Sequence, residues 1–407
     1  MQSYDIAIIG GGMIGLTLAV SLSGHGFSIA VLDTSEPASE WQQCNEDSPE
    51  PALRVSAISL ATEQVFRHCQ VWDELVKTRV CSYTEMDVRE QDSFAQIQFS
   101  HHQVQQPYLG HIIENDRIRA ALWHKAQQCE DIALIAPCSV KTLQMGGNTN
   151  VIQLESEQLL TARLLVGADG AQSRVRQQAG FPAAFWDYEQ KAIVATIKTE
   201  LPHGQVARQV FTPTGPLAFL PLWNEYLCSI VWSQDTDTAN ELLVLDEAEF
   251  NQRLAVAFDL QLGVCELQSE RQAFPLRMQY ARQWISEGVA VIGDAAHTIH
   301  PLAGQGANLG ILDAAALAET LISLKQENKD IGAVKHLRAF ERWRKAEASQ
   351  MVATMEAFKQ LFAGSNPMLK LIRGVGMSLT NQLPVAKHLI IQRAMGINGE
   401  LPEMAKL

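Results

Sequence analysis

The chain has 407 residues, enough for two to three domains of ordinary size. It is 47% hydrophobic, 19% charged and 7% aromatic, which excludes a largely disordered chain, a fibrous repeat and a polytopic membrane protein. A formal net charge of −13 argues against a nucleic-acid partner held by bulk electrostatics.

Seven cysteines stand at 44, 69, 81, 129, 138, 228 and 265, an odd number with no Cys-x-x-Cys pair. Neither a disulfide framework nor a Cys-rich zinc site fits that pattern, and reduced thiols in a cytoplasmic protein do. Tyr4-Asp5-Ile6 opens a strand almost at once, so no secretory signal is expected. No run of 18 uncharged apolar residues is seen, and no transmembrane helix is expected.

Asp5–Ile9 is a short β-branched apolar run, predicted to be a buried strand. Glycines 10 to 12 break it. Met13–Ser23, rich in Leu and Ala, is predicted helical, and Ser28–Leu32 is a second buried strand ending at Asp33. Such a βαβ unit implies parallel strands. Residues 34 to 51 are polar and read as a loop. Asn115–Cys129 has apolar residues at helical spacing, and Leu164–Val166 is a strand ending in Gly167-Ala168-Asp169-Gly170. Ala192–Ile197, Val206–Phe211 and Leu227–Trp232 read as strands between Pro and Gly turns, a sheet-rich unit inserted into the first. Val289–Ile292 returns to a buried strand before Gly293-Asp294, and a helix is predicted over about 306–324. The remainder is mostly helical.

Three motifs carry chemistry. Gly10-x-Gly12-x-x-Gly15 follows a strand, opens a helix and precedes an acidic residue at the end of the next strand. In that context Gly10 permits a tight turn, Gly12 admits a pyrophosphate, Gly15 lets helix approach strand, and Asp33 accepts from ribose hydroxyls. The helix N terminus offers free N–H groups and its dipole to the phosphates. The second motif is Gly167-Ala168-Asp169-Gly170-Ala171-Gln172-Ser173-Arg174-Val175-Arg176, which is equally compatible with a plain turn and helix cap. The third is Gly293-Asp294-Ala295-Ala296-His297, continuing through His300-Pro301, Gly304-Gln305-Gly306 and Asn308, where a carboxylate at a strand end meets a loop of small residues before a helix. His297 and His300 lack the acidic or thiol neighbours that a metal pair needs, so no metal is expected.

In this order the three motifs resemble the class A FAD-dependent aromatic hydroxylases. The stretch from Gly293 to Gly310, with Arg54-Val55-Ser56-Ala57-Ile58 and His111-Ile112-Ile113-Glu114-Asn115, is similar to the ubiquinone-biosynthesis branch, as are Phe185-Trp186-Asp187-Tyr188 and Val206-Ala207-Arg208-Gln209-Val210-Phe211.

The resemblance implies an α/β fold: a Rossmann-like FAD-binding domain (1–184 and 281–350), an inserted β-sheet-rich substrate domain (185–280) and a helical C-terminus (351–407). It implies that Gly10, Gly12 and Gly15 hold the FAD pyrophosphate and Asp33 the adenosine ribose. Arg54 and Asn115 would contact the phosphate and ribitol region. Asp169 and Gly170 would serve both FAD and NAD(P)H, Gly293 and Asp294 the ribitol, and Pro301, Gly304, Gln305, Gly306, Ala307 and Asn308 the isoalloxazine. The reaction implied is hydroxylation of a prenylated phenol with NAD(P)H as electron donor and O₂ as oxidant, through a flavin C4a-hydroperoxide.

Within that reading His297 is the candidate base for the phenol, by location. Phe211, Phe219 and Pro221 are candidate walls of the substrate pocket. Other readings are a hydroxylase for another ubiquinone-pathway step or another aromatic substrate, a flavin oxidase or dehydrogenase, and a flavin-bound structural subunit of a biosynthetic complex.

Residues 357–399 hold no Asp or Glu but five cations, Lys359, Lys370, Arg373, Lys387 and Arg393, and Met368, Ile372, Val375 and Leu379 share one helical face. That segment is expected to meet an anionic inner-membrane surface, a ubiquinone-biosynthesis partner protein or the chain's own core. The expected location is the cytoplasm, with that peripheral contact at the inner membrane.

Overall fold

The computed structural model describes residues 1–38, 51–91, 96–298, 305–362 and 384–407. The chain begins with β1 (Gln2–Ile9), α1 (Met13–Leu22) and β2 (Ile29–Leu32). It continues with β3 (Val55–Ser59), α2 (Leu60–His68), α3 (Trp72–Leu75), β4 (Val80–Tyr83), β5 (Glu85–Glu90), β6 (Gln96–Ser100) and β7 (Gly110–Glu114). Then come α4 (Asn115–Gln127), β8 (Ile132–Ile135), β9 (Val140–Gln144), β10 (Asn150–Leu154), β11 (Leu159–Gly167) and α5 (Arg174–Gln178). The four strands β12 (Ala183–Thr199), β13 (Val206–Thr212), β14 (Gly215–Pro221) and β15 (Leu227–Asp235) lead into α6 (Thr236–Val244) and α7 (Glu247–Ala257). The last third holds β16 (Cys265–Leu267), β17 (Gln272–Ala281), β18 (Ile285–Ser286), β19 (Val289–Val291), β20 (His297–Thr298), α8 (Gln305–Gln326), α9 (Val334–Phe362) and α10 (Pro384–Ala394).

Two large sheets organise these elements. In the first, β19, β11, β1, β2 and β8 lie side by side and all pair parallel. Ile6, Ala7 and Ile8 of β1 are fully buried, as expected of a central parallel strand covered on both faces. α1 lies against this sheet with Gly15 to Leu22 all buried, and α8 packs beside it. By length and composition α8 (Gly306–Gln326) is the one described helix that could cross a membrane, but 72% of that window is buried here. It carries Asp313 and Glu319, so it is not an uncharged run, and its apolar residues serve the protein's own interior.

The second sheet runs β20-β17-β12-β15-β14-β13-β5-β6. It extends beyond the 185–280 stretch, because β5 adds to β13 in parallel and brings β6 with it. One face is covered by α6 and α7, where Ile193, Leu217, Phe219, Ile230 and Trp232 pack with Phe250, Leu254 and Phe258. The other face turns toward the small sheet β3-β7-β4, where Leu220 and Ala207 share a core with Ala57, Leu60, Tyr83 and Ile112. Neighbours in sequence such as Phe219 and Leu220 thus enter different cores, the period-two alternation of a strand.

The tail is partly integrated. In α10 and just after it, Ile391 and Met395 are 2% and 1% exposed in the core shared with β7, and Lys387 is buried rather than offered to a surface. Met404 donates its backbone N–H to Glu319 of α8. For 384–399, packing on the body takes precedence over a free basic face. The apolar row Met368, Ile372, Val375 and Leu379 lies outside the described residues, as do Lys370 and Arg373.

Candidate cofactor site

Gly10 follows β1 with φ +109°, and a Cβ there would stand 2.3 Å from the Ala168 carbonyl oxygen of the strand beside it. Only glycine tolerates both the conformation and the approach. A Cβ on Gly15 would lie 2.0 Å from the Gly10 oxygen, so helix and strand touch through bare backbone. Gly12 differs. It caps α1 with no side-chain hydrogen bond, and a Cβ would meet no protein atom within 4 Å. Gly12 thus leaves clearance at the helix N terminus, where the first N–H groups of α1 have no intrahelical partner, and that suits a pyrophosphate.

Asp33, at the end of β2, accepts from Gly11 N at 2.6 Å and from Ser35 N at 3.0 Å. Arg119 on α4 donates to the Gly11 oxygen (2.8 Å) and to Asp33 (3.2 Å) and also bonds the Ser35 oxygen. Sequence reasoning did not single out Arg119. It sits inside the predicted helix, and its partners lie 84 to 108 residues away.

The second motif takes its capping form. Asp169 Oδ2 accepts from Arg174 N (2.7 Å) and Val175 N (3.2 Å), and Ser173 Oγ accepts from Arg176 N (2.9 Å). Asp169 Oδ1 is buried without a protein partner, an acceptor left over at the turn beside Gly10. Gly170 has φ +78° and open space around it. Arg176 reaches across to the Ala295 oxygen (2.9 Å) and the Ala171 oxygen (2.9 Å), tying this motif to the third.

Gly293 has φ +58°, and a Cβ there would strike Ile14 Cδ1 at 2.4 Å, so the third turn rests directly on α1. Asp294 is half-buried. Burial pushes its carboxyl above the ordinary aspartate range, against the opposing pull of His297 and Arg54. Arg54 is exposed, with its guanidinium 5.5 Å from the Phe274 ring. Its backbone oxygen accepts from Asn115 N (2.9 Å), and Asn115 Oδ1 accepts from Ser56 Oγ (2.7 Å).

Gly306 and Ala307 are half-buried in the first turn of α8. The Asn308 amide is 4% exposed and binds the β3 backbone, accepting from Ser59 N (2.9 Å) and donating to the Ala57 oxygen (2.7 Å). It joins helix to strand rather than pointing into open space. Pro301 and Gly304, with His300, lie outside the described residues. Gln305 begins α8.

His297 does not present a base. Its ring is 1% exposed, Nε2 donates to Asp313 Oδ2 at 2.5 Å, and Nδ1 is buried without a partner. The pocket residues are not gathered either. Phe219 is 1% exposed and stacked on Phe258 at 3.7 Å, and Pro221 pairs with Cys228 on that same helix-covered face. Phe211 points to the opposite face, against Val88 and Ile97. Alternation along a strand separates residues that the sequence sets close together.

Asp313 and Arg344, which sequence reasoning missed, complete the region. The signal was present in part: Asp313 is the one charge within Ile311–Ala318, an otherwise apolar helical run. Among the described residues no group of three or more His, Cys, Asp or Glu side chains is placed to hold a metal ion.

The three turns lie at the carboxyl ends of β1, β11 and β19, adjacent parallel strands of one sheet, where open α/β sheets bind their ligands. The comparisons with known proteins agree. A family model described as "FAD binding domain" matches residues 3–355. The chain is 34% identical to 3-demethoxyubiquinol 3-hydroxylase of Escherichia coli (strain K12), over 97% of this chain and 99% of that protein. It is 32% identical to ubiquinone hydroxylase UbiL of Rhodospirillum rubrum, over 99% of this chain and 92% of that one. Among solved structures, p-nitrophenol 4-monooxygenase PnpA from Pseudomonas putida DLL-E4 superposes with a TM-score of 0.80 at 17% identity, covering 98% of this chain and all of that one. With its FAD turns in place and relatives matched end to end, the chain belongs to the family of FAD-dependent monooxygenases that includes the hydroxylases of ubiquinone biosynthesis.

Proposed function

We propose that this enzyme hydroxylates the aromatic ring of a prenylated phenol in ubiquinone biosynthesis, with NAD(P)H as electron donor and O₂ as the oxygen source. The observation that carries the reading is that the Gly10–Gly15 and Gly293–Asp294 turns meet through Ile14 at the ends of parallel strands, with Arg54 5.5 Å from the Phe274 ring of the second sheet and pulling the Asp294 carboxyl down. Bound FAD, once reduced, supplies the activation of O₂ that an aromatic carbon requires.

The chain's own residues do the rest. The α1 N terminus and Gly12 hold the diphosphate, and Asp33, whose Oδ1 serves Ser35 and Arg119 and whose Oδ2 takes the Gly11 N–H and keeps a second lone pair, accepts from the ribose. Asp294 binds the ribityl hydroxyls. The face of the second sheet that carries Phe274, Ala192, Val194 and Val231 is apolar and small-featured, with Phe274 paired to Ala192 and Val194 to Val231. It forms the wall against which the phenol ring is oriented and from which water is excluded. His297 acts by holding the Gly293–Asp294 turn and not as a base on substrate.

The test is product analysis under ¹⁸O₂ with FAD-loaded enzyme, NAD(P)H and a prenylated phenol. One labelled oxygen on the ring is expected. NAD(P)H consumption that yields only H₂O₂ with every prenylated phenol tried would defeat the assignment while leaving the flavoprotein intact.

A further inference from the structure

Asp313 sits fully buried on α8 and receives donors from three separate segments. Oδ2 accepts from Gly293 N at 3.1 Å and from His297 Nε2 at 2.5 Å, while Oδ1 accepts from Arg344 Nε at 2.8 Å. Arg344, on α9, is 1% exposed and also donates to the Leu309 oxygen at 3.4 Å. Burial by itself would raise the Asp313 carboxyl, but His297 and Arg344 outweigh it and hold the group below its ordinary range. One carboxylate therefore spans the turn before Asp294, the strand after it and the helix whose first turn begins at Gln305. Eight residues of helix at about 1.5 Å each put that first turn roughly 12 Å from Asp313.

A second contact from α9 acts on the same region. Glu341 accepts from Trp284 N at 2.8 Å, and the buried Trp284 ring lies 5.1 Å from that of His297. The pyrophosphate turn is held by other groups. Its polar partners are the Ala168 carbonyl, Asp33 and Arg119, and it meets the second turn through the apolar Ile14 side chain, which makes no hydrogen bond to Asp313.

We infer that Asp313, with Arg344 as its counter-charge, is the positioning residue of the flavin half of the cofactor site. It fixes the Gly293–Asp294 turn against the first turn of α8 and makes no hydrogen bond to the groups that hold the adenosine half. A buried ionic cluster is no better for bulk stability than well-packed apolar side chains of the same volume, so its value here is geometric. The inference rests on the FAD reading given above.

The experiment compares FAD and ADP as probes on apo-protein, the first by flavin fluorescence and the second by calorimetry. Asp313→Asn places an N–H₂ among the three donors. It is expected to weaken FAD binding by about 10–200-fold, the equivalent of one charge-assisted hydrogen-bond set, with ADP affinity within about twofold of wild type. A merely structural role would lower both affinities together, and that result overturns the inference, as does unchanged FAD affinity. If Asp313→Asn does not fold, the paired Asp313→Asn/Arg344→Gln variant leaves no lone buried charge and is read in the same way. If that pair also fails to fold, Asp313 is framework and the inference is overturned. Wild-type protein that binds no FAD brings down the functional reading and this inference with it. Wild type that binds FAD as its Asp313 variants do brings down the inference alone.

Discussion

The molecule contains two glycine turns that serve one ligand and are built in opposite ways. The turn from Gly10 to Gly15 is made of backbone. Its closest approaches are backbone to backbone, Gly10 to the Ala168 carbonyl and Gly15 to the Gly10 carbonyl, and the polar side chains that reach it are Asp33, the terminus of the next strand, and Arg119 of α4. The turn at Gly293 and Asp294 is made of side chains brought from elsewhere: Arg176 from α5, Asp313 from α8 and Arg344 from α9. A phosphate needs N–H groups and clearance, which backbone supplies alone. A ribityl chain and a ring need a surface set at a fixed distance, and that takes remote struts.

The sharpest way to break this comparison is Arg344→Met. If the second turn depends on its struts, stranding the Asp313 charge in the core should cost about 3–5 kcal/mol of stability, read from urea unfolding. A loss below about 1 kcal/mol would mean that the strut is ornamental.

The first turn is tested by a pair of substitutions. Gly15→Ala drives a Cβ into the Gly10 carbonyl and should cost about 1–3 kcal/mol. Gly12→Ala meets no protein atom, so the apo-protein Tm should stay near wild type while FAD binding falls. Equal stability losses at both positions would refute the division between scaffold and ligand clearance.

At the second turn, Asp294→Ala should leave the fold in place and weaken FAD by about 10–200-fold, measured by fluorescence titration.

The smallest effect expected is a pH dependence. The Asp313 carboxyl lies below its ordinary value of 3.8 in the folded protein. Its stabilising contribution is therefore complete above that value and is lost as pH falls through the lower, folded one. The stability gap between wild type and Asp313→Asn should be widest near neutral pH and close only on the acid side of about 4. A gap that widens with acid would reverse the assigned sign.

The same contrast decides what could be read in advance. Gly10-x-Gly12-x-x-Gly15 and Asp33 were legible because strand, turn, helix and strand all lie within one βαβ unit, where local pattern determines structure. α6 and α7 were not anticipated, although Asp246 accepting from Glu249 N left a helix-start signature. Asp313 was visible as a lone charge in an apolar helix, but nothing near it named Arg344 as its partner, 31 residues on. Pairing β5 with β13 joins segments about 120 residues apart, and local periodicity carries no register for that. Phe219, a candidate pocket wall, stacks on Phe258 under the helices, and hydrophobicity alone does not say which side of a two-sided sheet a strand residue enters.

The parallel order β19-β11-β1-β2 also sets a timetable. β1 leaves the ribosome first, yet its neighbour β11 ends at residue 167 and β19 at residue 291. At roughly 5–20 residues per second, β1 waits on the order of 15–60 s between its own synthesis and the arrival of the outer strand. β1 finds its own two neighbours, β2 and β11, by residue 167, and it is the far edge of β11 that then waits for β19. The three turns of the site are made in the order Gly10, Asp169 and Gly293, so its flavin half is completed last.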